Sequence, residues 1–140
     1  MKLNRGRIWL GGLAGGVVWN LWSFFVYHYI TSFRYVGAQN AGWFLKTPRY
    51  PYFIAAWTVL LFILAIAVAH LYAWARQGLG PGPGTALKIG FLVGFFAGFP
   101  ENFAQATWFA GGRALPFGWM IEMWLGAILT ALVAGFLYKE

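Results

Sequence analysis

The chain has 140 residues, of which 61% are hydrophobic and only 9% charged, where soluble domains carry about 25% charged residues. A water-soluble domain of this size could not hide so much apolar surface, which leaves a membrane protein. The absence of cysteine excludes disulfides, thiolate metal sites, c-type haem attachment and cysteine nucleophiles. The net charge of +7 comes from basic residues scattered at segment ends; it fits membrane topology and anionic head groups rather than nucleic acid.

In chain order, "MKLNRGR" leads into an apolar run over 8–30, longer than the roughly 7–15 residues of a signal-peptide core. It is expected to stay as a first transmembrane helix. Further runs follow at 52–74, 86–110 and 119–138, each close to the ~20 residues that span a bilayer. None alternates as a barrel strand would. In the connection 31–51, "AGWFLKTPRYP" predicts a short interfacial helix anchored by Trp43 and Phe44 and closed by Pro48 and Pro51. "RQGLGPGPG" and "GGRALPFG" read as turns. Short connections join antiparallel neighbours, so the fold class is all-α: one domain over 1–140, a four-helix up-down transmembrane bundle.

Small residues dominate the contact faces. Gly90, Gly94, Gly98, Asn102, Ala106 and Ala110 recur at every fourth position of the third segment, a ridge that lets another backbone approach closely. Gly11, Gly12, Gly15 and Gly16 in the first segment, and Gly126, Thr130 and Ala134 in the fourth, extend the pattern. Gly12, Gly16, Gly90, Gly94, Gly98 and Gly126 are therefore expected helix-packing positions.

The third segment also places Pro100, Glu101 and Asn102 side by side. Proline should kink this helix and free a carbonyl near residue 96, which neighbours must satisfy. By helical rise Glu101 lies about 22 Å beyond Ala86, and Asn20 about 18 Å beyond Ile8. Both helices cross the membrane in the same sense. Asn20, Glu101, Asn102 and Gln105 are thus expected to form one interhelical polar cluster. A carboxylate at that depth costs a few kcal/mol or more. Glu101 is then either a neutral acid that pins helices together or meets a partner subunit, or a proton or cation site. Glu122 is expected about 5 Å inside the fourth helix, within reach of Arg113.

His28 and His70 fall near opposite faces and cannot share a macrocycle. They are expected as interfacial hydrogen-bonding residues, with single-ligand contact to chlorophyll or haem as the alternative. No other cofactor and no metal site is expected; bound lipids are. No Gly-Lys-Ser/Thr phosphate loop, H-E-x-x-H or G-x-S-x-G is present. Ser23 and Ser32 are the only serines, so no enzyme is expected. Lys2, Arg5, Arg7, Arg76, Lys88 and Lys139 collect on one side, and Arg34, Lys46, Arg49 and Arg113 on the other. This bias places both termini in the cytoplasm.

The stretches "GRIWLGGLAGGVVWN", "GLGPGPGTA" and "GFLYKE" give the whole chain a look that resembles small bacterial four-helix membrane proteins with no assigned activity. The resemblance implies this architecture and a bacterial inner membrane. Ser23 stands near the place where such proteins often carry an acid. The expected function is a non-catalytic accessory subunit that packs against a larger membrane complex, respiratory or photosynthetic. The alternative is a small proton- or cation-coupled carrier or channel using Glu101, as an oligomer. Partners would be membrane lipids and other transmembrane subunits or a second copy, with no nucleic acid.

Overall fold

Each apolar run forms a helix, with ends that differ from those of the run. The computed structural model describes residues 3–139, which form an all-α fold with four long spans and no strand among them. Lys2, expected among the basic residues of the terminal face, lies outside the described residues. Helix α1 covers Arg5–Val26, passes through a π-helical turn at Tyr27–Thr31 and continues as α2, Ser32–Asn40. Helix α3 covers Phe53–Leu79, α4 Pro83–Trp108 and α5 Ala114–Leu137.

Local chemistry sets these limits. Asn4 caps α1, its side chain accepting from the Arg7 backbone N–H at 3.2 Å. The α3–α4 turn is confined to Gly80–Gly82; Gly80 (φ 83) and Gly82 (φ 118) supply the left-handed backbone. Pro83 then stands in the first turn of α4, where its missing N–H costs nothing. Pro116 also lies in the first turn of its helix, two residues after Ala114. The two expected turns were therefore too wide. Arg76–Leu79 remain helical, and α5 starts at Ala114, five residues before its apolar run.

Two further expectations are corrected. "AGWFLKTPRYP" contains no helix: residues 41–51 are turns and bends. No proline interrupts the chain between Ile30 and Asn40, so the first helix simply continues. Pro48 and Pro51 then deny the following stretch its amide donors. Trp43 and Phe44 anchor this loop nonetheless, with ring centroids 6.1 Å and 5.5 Å from Phe109. Ala110 lies past the end of α4 and leaves the small-residue ridge.

Helix α1 lies between α3 and α5, while α4 packs chiefly on α5, touches α3 and makes no contact with α1. Two antiparallel ladders run along α1 in steps of four residues. Towards α5 the pairs are Gly11–Ala134, Gly15–Thr130, Trp19–Gly126 and Ser23–Glu122. Towards α3 they are Gly12–Ile66, Gly16–Phe62 and Asn20–Thr58. A Cβ on Gly16 would stand 2.2 Å from Cδ1 of Phe62, and one on Gly126 would stand 2.1 Å from Nε1 of Trp19. At the α4–α5 seam, a Cβ on Gly90 would meet Cα of Ile128 at 2.6 Å. On Gly94 it would meet Cα of Trp124 at 2.8 Å, and on Gly98 the Met120 carbonyl oxygen at 3.2 Å. Gly12 completes the set, 2.8 Å from Cα of Ile66. All six expected packing glycines therefore lie where helices meet, at distances a side chain would disrupt or crowd.

The outside is apolar. Ile54, Phe136 and Trp108 are 79%, 83% and 84% exposed, and such large exposed hydrophobics cover every helix. A surface of this kind suits lipid rather than water. At the end carrying both termini, Asn4 donates from its backbone N–H to the Tyr138 hydroxyl at 3.2 Å and from Nδ2 to the Lys139 carbonyl at 3.0 Å. Arg76 caps the Tyr138 carbonyl and lies 5.0 Å over its ring. These contacts tie the first, third and last helices together beneath the basic residues.

Candidate functional site

The membrane-spanning segments hold two carboxyl groups, and the fold treats them oppositely. Glu122 is drawn into the bundle. Its Oε1 accepts from the Ser23 hydroxyl of α1 and from Trp57 Nε1–H of α3, the latter at 3.3 Å. One carboxyl thus joins α1, α3 and α5. Trp22 adds a second α1–α5 tie, its Nε1–H donating to the Ile121 carbonyl at 3.3 Å. One turn below, Trp19 is fully buried and its Nε1–H has no hydrogen-bond partner among the described residues. It fits there only because Gly126, one turn beyond Glu122, leaves room.

This node replaces two sequence expectations. Glu122 is not close to the end of its helix: with α5 starting at Ala114, it lies about 12 Å in. Arg113 is nine residues earlier, about 13 Å of helical rise away, so Ser23 and Trp57 partner Glu122 instead. The signal was present in the sequence. The Gly11, Gly15, Trp19, Ser23 series and the Glu122, Gly126, Thr130, Ala134 series share a four-residue spacing. Run antiparallel, they set a large Trp19 against a small Gly126, and a hydroxyl against the acid.

The cluster of Asn20 with Glu101, Asn102 and Gln105 does not form. Equal depth along two helices is not adjacency, and α5 separates α1 from α4. Asn20 instead donates to the Gly16 carbonyl at 2.9 Å and to the Thr58 carbonyl at 3.4 Å. Asn102 points inward, almost fully buried, and donates to the Gly98 carbonyl of its own helix at 2.7 Å. The helix runs unbroken through Pro100.

Glu101 faces outward. It is exposed, as are Pro100, Ala104 and Gln105 on the same side of α4. Trp108 marks the helix end seven residues later, so Glu101 lies about 10 Å inside that end. Ala97, one turn back, and Trp108, two turns on, share its face of α4 and are exposed as well. A carboxyl and an amide one turn apart therefore interrupt an otherwise apolar outer face.

The histidines are far apart. His28 is exposed in the π turn and stacks on Phe24 at 5.8 Å. His70 packs edge-on to Trp9 at 6.4 Å. Trp9 and His28 are separated by about 28 Å of helical rise along α1. Among the described residues, no group of three or more His, Cys, Asp or Glu side chains could hold a metal ion. The chain matches no protein-family model, no curated protein and no solved structure.

Proposed function

We propose that this multi-pass membrane protein is a non-catalytic accessory subunit whose α4 outer face docks onto a transmembrane helix of a larger complex. The observation that carries the reading is the outward placement of Glu101 and Gln105 on a membrane-spanning helix. Ionisable groups in lipid-spanning segments normally face a bundle interior, a cavity or a partner. Among the described residues, none encloses Glu101 in this way. A partner helix that presents a hydrogen-bonding group at the same depth would supply that enclosure, and Ala97 and Trp108 would add apolar contact along the same face. The basic residues at the end with both termini, Arg5, Arg7, Arg76, Lys88 and Lys139, favour a cytoplasmic location for that end. A bacterial inner membrane, in a respiratory or photosynthetic assembly, is part of the same proposal.

A carrier or channel using Glu101 would need the carboxyl to line a path. On the outer face of α4 it lines one only if another chain closes around it, so that reading also requires an assembly. Photocrosslinking in native membranes tests the docking face. A benzophenone amino acid at Ala104, beside Glu101, should give a discrete protein adduct. The same probe at Val59, on the exposed side of α3, should give none. An adduct at Ala104 of twice the chain mass would replace the accessory subunit with a homo-oligomer. Identical patterns at both positions would remove the docking face.

A further inference from the structure

The structure carries a second unassigned feature, at the opposite end of the bundle from Glu101. A groove of about 370 Å³ opens between the start of α1 and the last turns of α3. Leu3, Arg5, Ile8, Trp9, His70 and Trp74 line it. We infer that this groove binds the headgroup of an anionic glycerophospholipid of the phosphatidylglycerol type. In that pose Arg5 engages the phosphate and His70 accepts a hydrogen bond from a headgroup hydroxyl.

His70 Nδ1 lies 2.8 Å from the Ile66 carbonyl oxygen. A carbonyl only accepts, so Nδ1 carries the proton in this contact. In the neutral ring this leaves Nε2 as the acceptor, directed away from the α3 backbone. Trp9 and Trp74 hold the ring edge-on from two sides, with centroids at 6.4 Å and 6.0 Å. The acceptor is therefore preoriented, and it needs a donor that an acyl chain cannot give.

Arg5 sets the charge of the occupant. A guanidinium matches phosphate geometry with two parallel donors. Arg5 is also the first residue of α1, where the helix dipole favours an anion. Trp9 and Trp74, 52% and 54% exposed, are the amphipathic rings that settle at headgroup level. Beyond them, Leu13 one turn along α1 and Ile63 two turns back along α3 are exposed and apolar. They give the acyl chains a lipid-facing path. A zwitterionic choline headgroup supplies a phosphate but no hydroxyl donor for Nε2, so it satisfies half of the site.

Native mass spectrometry of the full chain in mild detergent tests this, with dioleoyl phosphatidylglycerol and dioleoyl phosphatidylcholine as probes. The expected result is one saturable phosphatidylglycerol adduct, up to roughly tenfold tighter than phosphatidylcholine, the worth of about one hydrogen bond. Arg5→Gln should weaken binding of both lipids, because each carries the phosphate that Arg5 engages. His70→Phe keeps an aromatic ring but loses the acceptor and should weaken phosphatidylglycerol binding, while His70→Gln, which retains an acceptor, should bind more tightly than His70→Phe. Lys46→Gln, in the loop at the other end, should change nothing. Melting temperatures without lipid establish that each variant is folded, and Trp74→Leu serves as a further wall variant should His70→Phe fail to fold. Unchanged binding in Arg5→Gln together with His70→Phe overturns the site. Displacement of the lipid by millimolar inorganic phosphate would also overturn it, since the groove would then select a free phosphate rather than a lipid.

Discussion

Glu122 joins three helices through one carboxyl oxygen, and its value to the fold can be measured at single residues. Ser23 and Trp57 both donate to it. Removing one partner of a partly buried bond leaves the other unsatisfied, at a cost of about 1–3 kcal/mol. Couplings measured inside membranes are smaller, roughly 0.6–1.7 kcal/mol. A double-mutant cycle of Ser23→Ala and Glu122→Leu, read from thermal unfolding in detergent, should return a coupling in that lower range. Purely additive losses would mean that the hydroxyl and the acid do not act together. Glu101 has no such role within the chain: it faces outward, and Glu101→Leu should leave the stability of the isolated protein unchanged or slightly raised. The two acids would exchange these behaviours if Glu101 were the internal pin.

Glycines decide how closely the helices approach, and their positions separate two classes of substitution. Gly94 and Gly126 lie where a Cβ would penetrate a tryptophan of the facing helix. Leucine there must push backbones apart, and overpacking of this kind costs about 1–3 kcal/mol or more. Gly94→Leu and Gly126→Leu should lower the unfolding temperature sharply. Gly37 and Gly78 are also helical, yet a Cβ at either meets nothing within 4 Å. Alanine at these sites should stabilise by about 0.5–1 kcal/mol, because it restricts the unfolded chain and clashes with nothing. Destabilisation by Gly78→Ala, measured in the same assay, would contradict the open position on α3. The four-residue repeats of these glycines were legible in the sequence. Their partners were not, because a repeat along one helix does not say which helix faces it. Asn20 and Asn102 show this directly: both are the right residue type at the right depth, yet Asn102 bonds its own helix, and Asn20 bonds its own helix and the Thr58 carbonyl of α3 rather than α4. Helix ends were misjudged for a related reason. Hydropathy marks where lipid contact stops, whereas α3 and α5 continue until Gly80 and back to Ala114 because backbone geometry permits it.

At the scale of the whole molecule, both termini and the α3–α4 turn share one end, and the α2–α3 loop lies at the other. Cysteines placed singly at Ala41 and Gln77, both exposed, should react with an impermeant reagent from opposite sides of the membrane. Reaction of both from one side would remove the four-span topology. The bundle leaves α4 on its flank, in contact with α5 and α3 only, and the outer acid lies on that flank. The docking account therefore rests on a division of labour, with Glu122 holding the chain together and Glu101 holding it to something else. The most direct test is the size of the assembly extracted from native membranes in mild detergent, compared between the unmodified chain and Glu101→Leu. The account predicts a large assembly for the unmodified chain and release of a folded monomer by Glu101→Leu, with unchanged melting. An assembly of unchanged size in Glu101→Leu, or an unmodified chain that already migrates alone, would contradict it.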